Sequence, residues 1–476
     1  MNRLSRLQTF ARQKLPLCLA AYMMLQPVLD ILTSLCARAG ASVTPGVVLR
    51  AALMAYALFH VAFVSRFPQR KWCLIYLAVL TGYLLVFLGY MATVNTFGDL
   101  LRTARDTVKV FSFPYVLVFL YALYREHRFT IPARAVAVAV AGYAGSIFLA
   151  YITGTGFASY NSGYGCNGWF FAANEISDTL VLSAPIALCW AFERLRTAGR
   201  QWKPLAAVAG LIFVCAFACN YIGTKVVFAG VLVFFALCAV WLGVSWLVQR
   251  RKNDLLRAAA ALCACLLTVA LYGRSPLNGY VNNVYLPMED PNSTQAQISI
   301  NEATAEAAKG TWLGDLIENE PLVEKLNWIL SKRLLIIAPI AEEYRTGGAA
   351  TKLLGLGYQD NALHERGIER LVEMDAAALL LRHGAAGLAV YYLPYLLAVG
   401  WLTLRFLRRL KTRMSDLRCC SYLYSVLLAF AVSFVTGHTL VAPAVSFFAA
   451  VPLVGLLALL DEQDCALPPR KEGKPA

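Results

Sequence analysis

The feature that most constrains this chain is the recurrence of apolar runs about 20 residues long, each sufficient to cross a hydrocarbon core of roughly 30 Å. Charged residues make up only 15% of the 476 residues, whereas a soluble chain carries about 25%. The net charge of +15 would suit a nucleic-acid-binding protein, but the basic residues lie in short segments between the apolar runs. We therefore predict an all-α, polytopic transmembrane helical bundle that lies in a lipid bilayer and binds no nucleic acid.

We predict about twelve spans, nine before and three after one long polar segment. The predicted spans cover residues 15–37, 43–64, 72–92, 104–124, 131–153, 171–192, 204–218, 224–248, 256–272, 376–403, 419–436 and 440–460. The chain then divides into spans 1–9 (1–272), one large extracytoplasmic loop region with amphipathic helices (273–375), spans 10–12 (376–460) and a cytoplasmic tail (461–476). The amphipathic helices are expected within 301–344, either on the membrane surface or as a cap packed on the bundle.

The distribution of Lys and Arg predicts the orientation. They are concentrated in alternate loops, most densely in residues 65–71 and 405–411, and such loops face the cytoplasm. Both termini are then cytoplasmic, and the long polar segment faces outward. We predict a multi-pass protein of the cell (plasma) membrane.

The 13 cysteines lie mostly inside apolar spans, where they pack as small apolar residues. A disulfide framework or a zinc site requires clustered, exposed cysteines. We therefore predict no disulfide framework, no metal site and no cofactor.

Charged residues near the outer ends of the spans are the first functional candidates, because an unpaired charge in a membrane is costly. Arg102, Arg105 and Lys109 are three and four residues apart and share one face of the fourth span. Such a stripe would bind a diphosphate well. The alternative is that these side chains snorkel to the interface, with Asp106 pairing to Arg102.

The sixth span begins with Asn174, Glu175 and Asp178 on one helix face, after a loop rich in Gly, Ser, Tyr and Asn that ends near Trp169. This composition suits hydrogen bonding and stacking with sugar rings. The alternative is a helix start whose acidic residues are favoured by the helix dipole. The eighth span begins at Lys225, which is either a second anion contact or an interfacial lysine.

Two carboxylates, Glu373 and Asp375, end the outer segment. Residues two apart on a helix point about 200° apart, so at most one of them faces a central cavity. A carboxylate beside cations can act as a general base. His383 follows in the span and His364 lies in the loop before it, and a lone histidine is more often structural.

Four strings together resemble the O-antigen ligase and polymerase superfamily of membrane glycosyltransferases. They are Gly168-Trp-Phe-Phe-Ala-Ala-Asn-Glu-Ile-Ser, Gly223-Thr-Lys225 with Lys in place of the usual Arg, Leu354-Gly-Leu-Gly-Tyr358, and Glu373-Met-Asp followed by His383-Gly-Ala-Ala-Gly387 and an aromatic pair. The first span, with Gln26-Pro-Val-Leu-Asp30, is similar to that of members from Gram-positive bacteria.

The resemblance implies an undecaprenyl-diphosphate-linked glycan as donor and a glycan or glycolipid as acceptor. The transfer would take place at the outer leaflet, invert the anomeric centre and need no metal ion. Its product would be a cell-surface polysaccharide such as an exopolysaccharide. A flippase or chain-length regulator would be a further partner. Lys225, with Arg102, Arg105 or Arg333, would neutralise the diphosphate, and Glu373 or Asp375 would act on the acceptor hydroxyl. The predicted substrate-binding residues are Arg102, Arg105, Lys109, Trp169, Asn174, Glu175, Arg333, Tyr358 and His383.

One departure from the family's pattern bears on the acceptor. Lipopolysaccharide ligases place a His–Asn pair at the position that Glu373 takes here, which favours a polymerase or a ligase with another acceptor. A transporter or lipid-linked oligosaccharide flippase remains the alternative, and a non-catalytic scaffold is a third. A transporter is expected to have internal repeats and broken helices near the midplane, whereas here the polar residues gather at the outer face.

Overall fold

The computed structural model describes residues 13–41, 43–160, 163–198, 201–249, 252–285, 306–358 and 372–466. Twelve helical segments in these ranges are long and apolar enough to cross a membrane, which confirms the predicted number. Within the same ranges the only strand-like pairing is an antiparallel bridge between Ala158 and Cys166. The fold is therefore an all-α bundle, as the apolar runs predicted.

The helices lie close to the predicted spans. In chain order they are α1 (Leu15–Arg38), α2 (Pro45–Val64, its last turn a π-helix), α3 (Arg70–Val94), α4 (Phe97–Val110), α5 (Ser112–His127), α6 (Ala133–Ile152), α7 (Ala173–Ala198), α8 (Trp202–Tyr221), α9 (Lys225–Gln249), α10 (Lys252–Tyr272), α11 (Pro276–Tyr280), α12 (Trp312–Asn319), α13 (Pro321–Ile329), α14 (Arg333–Thr346), α15 (Ala349–Leu354), α16 (Asp375–Arg408), α17 (Leu410–Met414), α18 (Leu417–Val435) and α19 (Pro443–Ala466).

One predicted boundary moves by several residues, and another, within one residue of its predicted position, bears on the site. The fourth span consists of two helices, α4 and α5, that meet at Phe111, so it begins seven residues earlier than the predicted start at 104. The tenth span, α16, begins at Asp375, so Glu373 lies before the helix and not on it. The last span, α19, continues to Ala466, into the predicted tail, and residues 467–476 lie outside the described ranges.

The centre of the bundle is formed by α7 and α19, which are the most enclosed spans, whereas α2 and α3 expose most of their surface. Helix α7 packs against α6, α8, α9, α18 and α19. Because α7 also carries Asn174, Glu175 and Asp178 at its first turns, the packing of the bundle places these polar side chains near its axis.

A buried polar network ties α1, α2 and α6 together. Arg50 donates hydrogen bonds to Asp30 and, over 3.1 Å, to Gln26, and the Tyr143 hydroxyl donates to Asp30 over 2.5 Å. A charge inside a membrane bundle is tolerated when it is paired in this way. The Gln26–Asp30 string of the first span therefore acts as a structural clamp in this fold.

Helix α16 is broken near its Asp375 end. Gly384 has φ 65° and ψ −177°, a conformation essentially restricted to glycine. The carbonyls of Leu381 and Arg382 accept hydrogen bonds from the amides of Leu356 and Gly357 over 2.9 Å each, so the chain after α15 restores the pairing that the break removes. The break lies about 14 Å along the helix from Asp375, in the outer half of the span if that end faces outward.

The described part of the long polar segment contains the helices α13 and α14, which we call the outer hairpin after the predicted orientation. Its turn contains Ser331 and Lys332, both in the left-handed region at φ 55° and 61°. The buried side chain of Asn327 accepts from the amide of Leu335 over 3.3 Å, and its backbone carbonyl accepts from the amide of Lys332 over 2.7 Å. Asn327 thereby fixes the turn that presents Ser331, Lys332 and the first residue of α14, Arg333.

Candidate functional site

Three distant parts of the chain meet at one point. The Lys225 ammonium, at the start of α9, donates to the Ser331 hydroxyl over 3.1 Å, and Arg333 Nε donates to Glu373 Oε2 over 2.6 Å. The charge of Arg333 also acts on Lys225. The structure therefore brings together Lys225, Arg333 and Glu373, which we call the cation–carboxylate site.

The local sequence explains how Lys225 is held. Gly223 has φ 89° and lies against the backbone of Gly165, so the turn before α9 has space for glycine only. The next residue, Thr224, shares a hydrogen bond of 2.6 Å with the Ser177 hydroxyl of α7. The start of α9 is thus fastened to the central helix, and the position of Lys225 is set by the bundle.

An aromatic pair lies beside the site. The rings of Tyr160 and Tyr280 stack with centroids 4.2 Å apart and an interplanar angle of 7°, and the Tyr160 hydroxyl donates to the Gly223 carbonyl over 3.2 Å. Burial raises the pKa of both phenols, and Arg333 and Glu373 influence both. The two tyrosines therefore remain neutral at physiological pH and present an apolar face next to the charged groups.

The charges of the site remain accessible. The side chains of Arg333 and Glu373 are 16% and 22% exposed, so a ligand can reach both. Lys332, next in the turn, is partly enclosed, and burial lowers the pKa of its ammonium. Two or three cations beside one carboxylate form a site that attracts an anion and still contains a proton acceptor.

Asp375 lies in a different environment from Glu373. It is fully buried, and its Oδ2 accepts from the backbone amides of Thr439 and Leu440 over 3.1 and 2.7 Å. Because α16 begins at Asp375, this carboxylate points into the protein while Glu373 stays in the preceding extended segment. Asp375 is thus enclosed and hydrogen-bonded to the segment before α19, whereas Glu373 is paired with Arg333.

The cationic stripe of α4 lies elsewhere. Asp106 pairs with Arg105 over 3.1 Å and with Lys109 over 2.9 Å, whereas the expected alternative paired it with Arg102. Arg105 and Lys109 line a cavity of about 480 Å³, which we call the lateral groove. Arg50, Ala51 and Glu175 also line it. Of the predicted site residues, these three (Arg105, Lys109 and Glu175) therefore share the groove.

A row of acidic side chains runs between the groove and the cation–carboxylate site. Glu175 interacts electrostatically with Lys109 and Arg50, and Asp178, one turn further along α7, interacts with Glu175, Asp375 and Arg333. Electrostatic interactions thus link Glu175, Asp178 and Asp375 with charges of both cationic clusters. We refer to these three as the carboxylate row.

His438 is a site residue that the sequence analysis missed. It has a left-handed φ of 59°, follows Gly437, and acts electrostatically on both Glu175 and Asp375. It lies in the short segment between two apolar runs, and its polar string Thr436-Gly-His-Thr439 was the available signal. Its neighbour Thr439 donates to Asp178 over 2.7 Å, so this segment is linked to the carboxylate row.

The remaining predicted residues are distributed around these sites. Trp169 Nε1 donates to the Thr155 hydroxyl over 2.9 Å at the end of the loop that also carries Tyr160, and Asn174 is half-buried at the start of α7. Tyr358 and His383 are joined by a hydrogen bond of 3.2 Å. Residue 364, the other histidine considered, lies outside the described ranges.

His383 lies in the protein interior. It is completely buried, and its ring packs against Phe87 and Phe111 with centroids 4.6 and 4.9 Å apart. Burial also raises the pKa of the Tyr358 hydroxyl that it contacts. This environment favours a packing role beside the break at Gly384 over the predicted contact with substrate.

The described residues contain no group of three or more His, Cys, Asp or Glu side chains arranged to hold a metal ion. All 13 cysteines are free thiols.

Comparison with known proteins identifies the family. The family model described as O-antigen ligase like membrane protein matches residues 12–463, nearly the whole chain. The chain therefore belongs to the O-antigen ligase like membrane proteins, and it is a multi-pass membrane protein. No curated protein and no solved structure matches it.

Proposed function

We propose that this O-antigen ligase like protein is a glycosyltransferase that polymerises or ligates an oligosaccharide carried on undecaprenyl diphosphate, at the outer leaflet of the plasma membrane. The family supports glycan transfer in general. The observation that carries the finer proposal is the meeting of Lys225, Arg333 and Glu373, from a span, the outer hairpin and the segment before α16. Cations that face a developing anion, with a proton acceptor beside them, are what transfer from a diphosphate requires.

The ion pair between Arg333 and Glu373 provides a way to couple binding to catalysis. In the structure Glu373 neutralises Arg333. A donor diphosphate that binds Lys225 and Arg333 competes for the same guanidinium and releases the carboxylate. Glu373 then becomes a stronger proton acceptor once the donor is bound.

The bond changes follow from this arrangement. The acceptor hydroxyl attacks the anomeric carbon and transfers its proton to Glu373, while the bond from that carbon to the diphosphate oxygen breaks on the opposite face. The electron pair leaves with the diphosphate, whose increased charge Lys225 and Arg333 stabilise. A single direct displacement inverts the anomeric centre, and these residues supply the positive charge without a metal ion.

The stacked pair of Tyr160 and Tyr280 is suited to hold the glycan. Their neutral rings offer an apolar face of the kind on which sugar rings stack, and the Tyr160 loop also contributes Trp169. In this proposal Asn174 and the loop position the sugar. A flippase and a chain-length regulator are partners that this function implies.

A transfer assay with purified protein tests the proposal. Lipid-linked oligosaccharide is incubated with the wild type in the presence of EDTA, and the products are separated by size. We expect a longer or transferred glycan with the wild type and none with Lys225→Met or Glu373→Gln. Lys325→Ala is the matched control, because Lys325 is an exposed cation on the same hairpin, and it should leave the product unchanged.

Two results would contradict the proposal. One is full transfer by both variants. The other is movement of the lipid-linked oligosaccharide across vesicle membranes without any change in glycan length, which would favour the flippase alternative. The orientation is tested separately by thiol labelling of single cysteines placed in 405–411, which should react only from the cytoplasmic side.

A further inference from the structure

Helix α13 of the outer hairpin exposes one apolar face. Leu322, Leu326 and Ile329 are 79%, 46% and 56% exposed. They are four and three residues apart, so they lie on one side of the helix. The residues buried against the protein at this point are Asn327 and Leu330. The described part of the chain therefore leaves this apolar face largely uncovered.

The start of α14 lies level with the end of a span. The Ser331 hydroxyl, in the turn of the hairpin, accepts from the ammonium of Lys225, the first residue of the span α9. Ile329, which ends α13, is two residues before Ser331. The apolar face of α13 therefore begins beside the end of a membrane-spanning helix, where the hydrocarbon core meets the lipid headgroups.

The far end of α14 lies level with a second span. The Tyr344 hydroxyl donates to the carbonyl of Lys352 over 2.6 Å, and Thr351 contacts the Tyr90 hydroxyl over 3.5 Å. Tyr90 lies about one turn before the end of α3, on the side of the bundle where α9 begins. Helix α14 thus runs along this end of the bundle for about 21 Å, and α13 packs against it.

The apolar face and the cationic turn form one piece. Asn327, on α13, accepts from the amide of Lys332 with its backbone carbonyl and from the amide of Leu335 with its side chain. Arg333 lies between these two amides and pairs with Glu373. Because Asn327 joins α13 to the first turn of α14, the depth at which α13 lies also sets the depth of Arg333.

Lipid is the occupant that this position favours. Other apolar side chains at the same end of the bundle are equally exposed, among them Phe97 at 75% and Phe171 at 61%, and in a multi-pass membrane protein such a surface is covered by lipid. Trp312, the first residue of α12, is 56% exposed, and Lys325 flanks the apolar face. Tryptophan and lysine beside an apolar face are typical of helices at the membrane–water interface.

We propose that α13 is seated in the adjacent leaflet, with Leu322, Leu326 and Ile329 in contact with lipid. This seating sets the depth at which Arg333 meets a lipid-linked diphosphate, a consequence that rests on the proposed function. The partner of the outer hairpin is then the lipid surface itself. The membrane, together with the bundle, holds the cation–carboxylate site in place.

Photo-crosslinking in native membranes tests the contact with lipid. p-Benzoylphenylalanine is placed at Leu322 or, as the matched control, at Glu324, which is also exposed but points about 200° away around the helix. The membranes are irradiated, and the full-length protein is purified and its mass is measured. We expect an adduct with the mass of a phospholipid at position 322 and none at position 324.

A pair of variants tests the link between the seating and the site. Leu322→Glu/Leu326→Glu places charges on the face, whereas Leu322→Phe/Leu326→Phe keeps it apolar. Because buried leucines stabilise the seated state, the glutamate variant should lower kcat/KM for lipid-linked oligosaccharide about tenfold or more. The phenylalanine variant should keep the wild-type value. Both should unfold in detergent at the wild-type temperature, since these side chains are largely exposed in the protein.

Each other outcome has a defined meaning. An adduct at position 322 with another protein, or with a second copy of this chain, would overturn the assignment to lipid. Equal lipid adducts at positions 322 and 324, or none at either, would do the same. Wild-type kcat/KM in Leu322→Glu/Leu326→Glu would overturn the link to the site. Lipid adducts at position 322 without glycan transfer by the wild type would refute the proposed function and leave the seating of α13 intact.

Discussion

A single glycine offers a sharp test of the site, because its substitution moves the proposed base without changing it. Gly437 has a left-handed φ of 66°, and a Cβ built on it would overlap the backbone carbonyl oxygen of Glu373. It would also press on the amide nitrogen of Met374. Because these atoms belong to the backbone, rotation of a side chain cannot relieve the overlap.

The expected effect of Gly437→Ala has two parts, a loss of stability and a loss of transfer rate. The left-handed conformation costs a residue with a Cβ about 1–2 kcal/mol. The overlap adds a displacement of the segment that carries Glu373 by about 1 Å or more, and a misplacement of about 1 Å costs roughly 100-fold in rate. Gly437→Ala should therefore lower kcat for glycan transfer about 100-fold while the protein still folds.

Two control glycines separate the conformational cost from the steric displacement of Glu373. Gly40 has a φ of 84° and no atom within 4 Å of its would-be Cβ, so Gly40→Ala measures the conformational cost alone. Gly400 lies inside α16 with open space around it, and Gly400→Ala should slightly stabilise the helix. The assays are thermal unfolding in detergent and initial rates of transfer. If Gly437→Ala resembles Gly40→Ala in both assays, the steric argument is wrong.

Three further predictions concern the same region. Burial lowers the pKa of the Lys332 ammonium below its ordinary value of about 10.4. Between these two pKa values the unfolded chain binds more protons than the folded protein, so the free energy of unfolding should rise with pH. Lys332→Met should flatten this rise, measured as unfolding temperature against pH. Gly384→Ala should lower the unfolding temperature in detergent, because a Cβ there would overlap the backbone of Leu353, whereas Gly400→Ala should not lower it. Tyr160→Phe keeps the stack with Tyr280 and should preserve KM for the glycan. Tyr160→Ala should raise KM several-fold, since aromatic stacking contributes about 0.5–1.5 kcal/mol. Equal KM values for these two variants would contradict the stacking role.

The sequence predicted the bundle well because span length and apolar character are local properties. Each of the twelve spans contains a predominantly apolar stretch long enough to cross a membrane, and an α-helix satisfies its own backbone hydrogen bonds in lipid. The start of α16 at Asp375 lies one residue from the predicted start at 376, but the hydrogen bonds that Asp375 accepts come from the amides of Thr439 and Leu440, far along the chain. The consequence was that Glu373 and Asp375 were treated as equivalent.

The site itself was only partly predictable. Lys225 and Glu373 stand out as charges at the ends of apolar runs, but the pairing of Glu373 with Arg333 depends on how the outer hairpin folds back. The turn that presents Arg333 uses two left-handed residues other than glycine, for which no simple sequence pattern exists. His438 was missed because it lies in a short polar string between two apolar runs, and such a string is typical of a loop that connects two spans.

The location of Arg333 on the outer hairpin, and not on a span, has a consequence for biogenesis. Lys225 leaves the ribosome more than a hundred residues before Arg333 and Glu373 do, so a nascent chain that has inserted its first nine spans has a cation but neither of its partners. The cation–carboxylate site is complete only when the hairpin and the segment that carries Glu373 have joined the bundle. On the proposed function, a partly translated chain therefore lacks two of the residues required for glycan transfer.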